Sequence, residues 1–592
     1  MNIIRKTITL IAIGLICIPT SAQIDKSYRE IMDIFTNEIK EKYYNFRDSC
    51  NKVYADAIRG EWKKQSAEEV VQKPKDEKFT PLKVELPAET AVKPTNNLLT
   101  VNKYIDPIKV KPQPSPKDID NLPTNKPVYA YDNGEEMVYM VEGMEIPANA
   151  VAELGKKNSW LKSLFKQKNS EQKETKKEKK RRKKNISVEE MKKYAEPIEH
   201  YHTFSFYGTD YKVRLEPKRI NFKLPNINPE TIAKQWEKFS VNIGDNVEQA
   251  EKSRCTNLLY DCLVLRKENN LCDWAYLNML YQMSASFLGK GTNEATFLTA
   301  FLYCQSGYKI RMASNLQGKL YILVASDHYI YDNPPFKIDG VRYFTFLPEK
   351  EDKQASASLS LNICQAAFKD EQALSLLIPY APKLDLIKTN ARELASLHNE
   401  EIKTTVSTNK NRVDFFNNYP SSYVNGNFMT RWAMYANTPL SEEVKAEFYP
   451  SLKKNIEGCS KARAVSILLE FCQSAFEYKF DEEVWGEDRA FFAEETLYYP
   501  YSDCEDRSIL FSRLVRDLVG LDVLLVYYPG HLLTAVHFTE DSQLAEELYG
   551  EYYSLPCDGR NFVICDPTGL YAPIGWNDSK YRYESAEVIL LE

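Results

Sequence analysis

An α+β fold is predicted by three stretches within residues 451–592. Lys461–Phe476 is a mostly apolar helical run, and a second helix follows Ser502 with the stripe Leu510, Phe511, Leu514, Val515 and Leu518. Leu521–Tyr528 and His531–Phe538 read as strands joined by the turn Pro529-Gly530. Asn561–Asp566 reads as a further strand, stopped by Pro567. Helix followed by antiparallel strands is an α+β arrangement.

The preceding segments are read in chain order. Arg5 and Lys6, the apolar stretch Ile8–Ile18 and Pro19-Thr20-Ser21-Ala22 have the form of a signal peptide over residues 1–22. That stretch is too short to span a bilayer, and no later segment is long and apolar enough. An exported protein of the bacterial periplasm or cell envelope is expected, with no transmembrane segment. Residues 23–69 show a helical pattern through Ile31, Phe35, Ile39 and Phe46. Residues 70–195 read as a linker, rich in proline at first (Pro112, Pro114, Pro116), with one small strand pair around Val128–Pro147. Its basic run, Lys166–Lys184, is either a contact for anionic envelope components or a solvated segment. Folded sequence returns at 196, giving a domain over 196–385, a connecting region over 386–450 and a final domain over 451–592.

Composition narrows the class. The formal charge of −6 over 592 residues argues against a nucleic-acid partner. Of the 12 cysteines, Cys17 falls in the leader, and the odd remainder implies at least one free thiol. The spacings Cys255–Cys262 and Cys557–Cys565 match no zinc pattern. His200 and His202 share a strand face but have no evident third ligand and read as surface or loop residues, and the thiol chemistry set out below needs neither metal nor organic cofactor.

The candidate chemistry lies in Ser502-Asp503-Cys504-Glu505-Asp506-Arg507, Tyr528-Pro529-Gly530-His531 and Cys565-Asp566-Pro567-Thr568. Ser502 and Glu505 have capping-box spacing, which makes Cys504 the second residue of a helix. The positive end of a helix favours a thiolate. His531, opening a strand, can serve as its base, and Asp566, closing one, can orient the imidazole. His537 is a rival base, but six strand residues place it about 20 Å from His531.

Taken together, these three segments resemble the nucleophile, histidine and aspartate segments of the transglutaminase-like superfamily. The resemblance covers roughly residues 451–592. It implies a papain-like domain with Cys504 as nucleophile, His531 as general base and acid, and Asp566 as its orienter. It also implies a protein or peptide substrate. Thioester formation from a carboxamide or peptide bond would be resolved by water or an amine. Trp485 is a candidate wall of the cleft, and the backbone N–H of Cys504 a candidate oxyanion donor.

The stretch Gly291–Val324 can be laid on Cys504–His537 without a gap, and Asp339-Gly340 aligns with Asp558-Gly559. A degenerate domain of the same kind is therefore expected over 196–385. Gly291, Gly318 and Leu347 would then stand where the second domain has Cys504, His531 and Asp566. Such a copy has no thiol chemistry and suits binding or bracing. The alternative for the whole chain is a non-catalytic envelope scaffold that retains the fold.

Overall fold

A computed structural model describes residues 55–60, 62–68, 92–93, 101–110, 128–132, 137–141, 144–146, 201–215, 220–239, 254–348, 360–365, 371–397, 402–548 and 551–592. The expected signal peptide, most of the expected helical segment 23–69 and the basic run lie outside them. The chain divides into two compact units, residues 1–46 with 114–196 and residues 47–113 with 197–592. In the smaller unit, Val128–Asp132, Met137–Val141 and Met144–Ile146 form an antiparallel three-stranded sheet, one strand more than the expected pair.

The larger unit is α+β and is built on two antiparallel sheets. The strands of the first run Trp62–Ser66, Ser360–Cys364, Ile310–Ser314, Leu320–Ala325, Val341–Thr345 and Phe336–Ile338 in spatial order. The second runs Val101–Ile105, Ala586–Leu590, Val523–Tyr528, His531–Val536, Gly559–Cys565, Tyr552–Cys557 and Ile108–Val110, with Val92–Lys93 also paired to Gly559–Cys565. Once the upstream strands are set aside, the two sheets share one topology. A helix leads into a hairpin, a second hairpin follows with its later strand inward, and the last strand returns beside the first. The second hairpin turns on Asp339-Gly340 in one sheet and Asp558-Gly559 in the other, with φ of 49° and 79°, then 49° and 73°. Positive φ at both central residues matches the twist of a two-residue hairpin and explains the Asp-Gly pair.

The upstream strands correct the expected linker. Residues 101–110 pair with Ala586–Leu590 at one edge of the second sheet and with Tyr552–Cys557 at the other. A flat sheet of that width would hold its edges about 29 Å apart. Asp106-Pro107 spans no more than about 11 Å. The sheet therefore curls until one strap carries both edges. Residues 62–68 do the same for the first sheet. Trp62–Ser66 pairs with Ser360–Cys364, while Gln65 Nε2 and the Glu68 N–H donate to the carbonyls of Lys337 and Pro335 at the opposite edge (2.9 and 2.8 Å). The helical reading of 23–69 thus gives way to a strand at 62–66.

Each curled sheet encloses an apolar interior. Leu524, Val526, Leu533, Leu555 and Ile564 form part of the second, and Leu323, Phe336, Tyr343 and Ile363 part of the first. Helix Cys504–Leu518 lies on the second sheet, with Leu510, Phe511, Leu514 and Val515 buried. It ends where Gly520, at φ 71°, turns its N–H back to the Val515 carbonyl (3.0 Å). Helix Asn293–Gln305 lies in the same way on the first sheet. The described residues of the expected connecting region, 386–450, include the strand pair Arg392–Ala395 and Lys403–Val406, and three helices lie between Lys410 and Ile456. Among the described residues no helix is long and apolar enough to cross a membrane.

Candidate active site

The N-cap of the cysteine helix is Asp503, so Cys504 is its first residue, one position earlier than the capping pattern predicts. The cause is local. Asp506 Oδ2 reaches back to the Asp503 N–H (3.3 Å), whereas the Ser502 hydroxyl accepts Arg507 Nε (3.1 Å). Glu505, expected to close the box, instead accepts the Cys504 thiol at 3.0 Å through Oε2.

The helix start is stitched to the histidine strand. The Leu532 N–H donates to the Cys504 sulfur, and Ser508 Oγ, one turn on, donates to the Leu532 carbonyl (3.0 Å). Cys504 is thereby held against the residue that follows His531. His531 Nε2 pairs with Asp566 Oδ2 at 3.0 Å, so Nδ1 is the ring nitrogen suited to exchange a proton with a thiol. Cys504, His531 and Asp566 are 8%, 1% and 4% exposed.

Asp566 is fixed from two sides. Its Oδ1 accepts the Thr568 hydroxyl (2.6 Å) and the N–H groups of Thr568 and Gly569 (2.9 and 3.2 Å). A side chain at Gly569 would come within 2.9 Å of the Ala572 side chain and 3.4 Å of Asp566 Oδ2, which accounts for the glycine. Burial pushes the Asp566 carboxyl up, but His531 and Thr568 outweigh it and hold it below the usual range. Gln473, buried on the Lys461–Ser474 helix, donates through Nε2 to the carbonyls of Asp566 and Ala572 (2.9 and 2.8 Å). The Tyr581 ring stacks on His531, with centroids 5.7 Å apart and planes at 14°, and Tyr528 stacks on Tyr581 at 4.6 Å. Neither Gln473 nor Tyr581 is marked by spacing or motif, which is why sequence reasoning missed them.

The thiol itself departs from expectation. Burial pushes its pKa well above the ordinary thiol value, and Glu505 and Asp503 add to the rise against the Leu532 N–H. The helix end was expected to lower it. Neighbouring carboxyls share the environment: burial, then Asp506 and Glu505, raise Asp481 to about 10, and burial with Asp488 raises Glu505. Asp481, Asp503 and Glu505 make up a group with the geometry to hold a cation, which the sequence did not reveal.

The remaining sequence candidates are structural. His537 Nδ1 meets the Asn561 carbonyl (2.7 Å) near the far end of the strand. His202 Nε2 meets Ser286 Oγ (2.8 Å). Trp485 packs edge-on against Phe491 and Tyr499 under the Arg489 guanidinium. Cys565 is a buried free thiol.

In the first sheet, the helix starts at Asn293, two residues after the Gly291 that the ungapped alignment places opposite Cys504. Asn293 Oδ1 accepts the Leu320 N–H and its Nδ2 donates to the Gly318 carbonyl, both at 2.9 Å. An amide there pins helix to strand at both of its ends. Leu347, opposite Asp566, is buried.

No family model, curated protein or solved structure matches this chain.

Proposed function

We propose that the chain is an exported cysteine enzyme of the transglutaminase-like kind, acting on a protein or peptide carboxamide or peptide bond. The observation that carries this reading is the buried His531–Asp566 pair at 3.0 Å, beside a cysteine that opens a helix and is held at Leu532. In this reading Cys504 Sγ bonds to the acyl carbon while its proton passes to His531 Nδ1. The tetrahedral intermediate expels ammonia or an amine, which takes that proton. Water or a second amine then cleaves the thioester, delivering its proton through His531 and restoring the thiol. Asp566 stabilises the imidazolium through Nε2 and fixes its ring. The Cys504 N–H is the first oxyanion donor. The leader-like pattern of residues 1–22 supports export.

The common topology, the paired Asp-Gly turns and the matching straps support a degenerate first copy that braces the second and has no thiol chemistry.

A non-catalytic scaffold is the second reading. It is favoured by the buried, raised thiol, which already donates its S–H to Glu505. Alkylation of Cys504 by iodoacetamide, read by peptide mass spectrometry against pH, separates the two. The enzyme reading expects His531→Ala to slow alkylation near pH 7 at least tenfold, with glutamine peptides losing ammonia only to the unmodified protein. Equal rates in both proteins at every pH, rising only with the ordinary thiol, would leave the scaffold.

A further inference from the structure

A group of acids beside the cysteine does more than receive the thiol through Glu505. Asp481, Asp503 and Glu505 each bring a carboxylate oxygen within 4.8 Å of the other two. All three side chains are buried, Glu505 at 4% exposure. They come from two separate segments, the short Asp481–Val484 helix and the start of Cys504–Leu518. The nearby guanidinium groups make their direct bonds to other residues, although the Arg431 charge also acts on Glu505. Arg431 is paired with Asp488 and Arg489 with Glu495. Arg507 donates to the carbonyls of Gln473 and Phe476. Packing like charges away from water is costly unless they hold protons or something positive accompanies them.

A second observation concerns hydrogen bonding, not proximity. Glu505 Oε1 is buried and has no hydrogen-bond partner. Its twin, Oε2, holds the Cys504 thiol. A buried acceptor without a donor costs about 1–3 kcal/mol. One ion would satisfy this oxygen and offset the repulsion among the three acids together.

We infer that Asp481, Asp503 and Glu505 form a binding site for a hard divalent cation. An all-oxygen donor set suits magnesium, manganese or calcium better than a soft metal. Oxygens on opposite sides of such an ion lie about 4–5 Å apart and adjacent ones closer, so one ion can touch all three. The frame is already fixed. The Arg489 N–H holds Asp481 Oδ2, and the Phe491 and Asp503 N–H groups hold Asp506 on the same helix start.

The test uses the full chain, freed of metal with a chelator and titrated with Mn2+, free ion being read by electron paramagnetic resonance. One Mn2+ per chain is expected, displaced by excess Ca2+ or Mg2+. Asp481→Asn and Glu505→Gln should each weaken binding at least tenfold, whereas Cys504→Ser keeps it. Absence of a stoichiometric site in the folded wild-type protein at millimolar Mn2+ overturns the proposal without recourse to any variant. So does Mn2+ binding that survives Asp481→Asn, or a site that takes only Zn2+ and vanishes in Cys504→Ser. No substrate is involved, so failure here leaves the enzyme reading untouched, and failure of that reading leaves the cation site standing.

Discussion

The two curled sheets share strand order, hairpin turns and strap, but differ in what the helix start offers the returning strand. In the first, Asn293 spends both ends of its amide on the backbone of Gly318 and Leu320. In the second, Cys504 meets the Leu532 N–H with a sulfur that has chemistry of its own. The buried histidines diverge in the same way. His328 is an acceptor, taking the Leu376 N–H on Nε2 at 3.2 Å. His531 has a carboxylate on that nitrogen. The scaffold is thus supported by apolar pattern and edge pairing in both sheets, and a few polar side chains decide whether a site results.

The comparison can be broken most forcefully at the straps. Replacing residues 101–110 by a Gly/Ser linker should cost the second sheet several kcal/mol and abolish hydrogen-exchange protection in Val523–Tyr528 and Gly559–Cys565. The first sheet should keep its protection. Undiminished protection in the second would show that the strap is an accessory.

The histidines provide the next test. Burial lowers His328 to about 4, partly opposed by Asp327. Between pH 6.5 and 4 the unfolded chain takes up this proton and the folded one does not, so stability falls as pH falls through that window. The loss is on the order of 3 kcal/mol at the acid end. His328→Gln should flatten that limb of a denaturant-midpoint profile. Asp566 adds acid sensitivity lower down: its depressed folded value gives stability that is present above the unfolded value and lost as pH falls through the folded one.

Smaller effects follow at the two helix starts. Asn293→Ala removes two backbone partners at once and should cost about 2 kcal/mol by urea unfolding. Ser508→Ala removes only the bond to the Leu532 carbonyl and should cost about 1 kcal/mol. A change in the second sheet exceeding that in the first would reverse the view that the asparagine is the stronger clasp.

Much of the second domain was legible because its signals are local. Leu510, Phe511, Leu514 and Val515 mark one helix face, Pro529-Gly530 a hairpin and Pro567 a strand end, and each fell within a few residues of its expected place. The cap shifted by one because Ser502 and Asp503 are both good caps, and the choice rests on Asp506 and Arg507. His531 and Asp566 come together because their strands are neighbours, which alternation and turns could suggest. Glu505 as the thiol's acceptor, Gln473 beneath Asp566 and the nearness of Asp481 depend on tertiary placement that no local pattern encodes. The straps are illegible for a stronger reason. They are short strands among prolines, and their partners lie hundreds of residues away: the Ser585 hydroxyl meets Asp106 across 479 positions.

That separation also bears on the order of events as the chain is made. The straps for both sheets leave the ribosome before either sheet exists, and Ala586–Leu590, partner of Val101–Ile105, emerges hundreds of residues after it. Closing so long a loop is slow because the chain must search before any contact rewards it. The first strap meets its partner once Ser360–Cys364 has emerged, but Val101–Ile105 stays unmatched far longer, and a product cut short before residue 586 can never seat it. The arrival of Ala586–Leu590, more than the making of the site residues, is what lets the second sheet close.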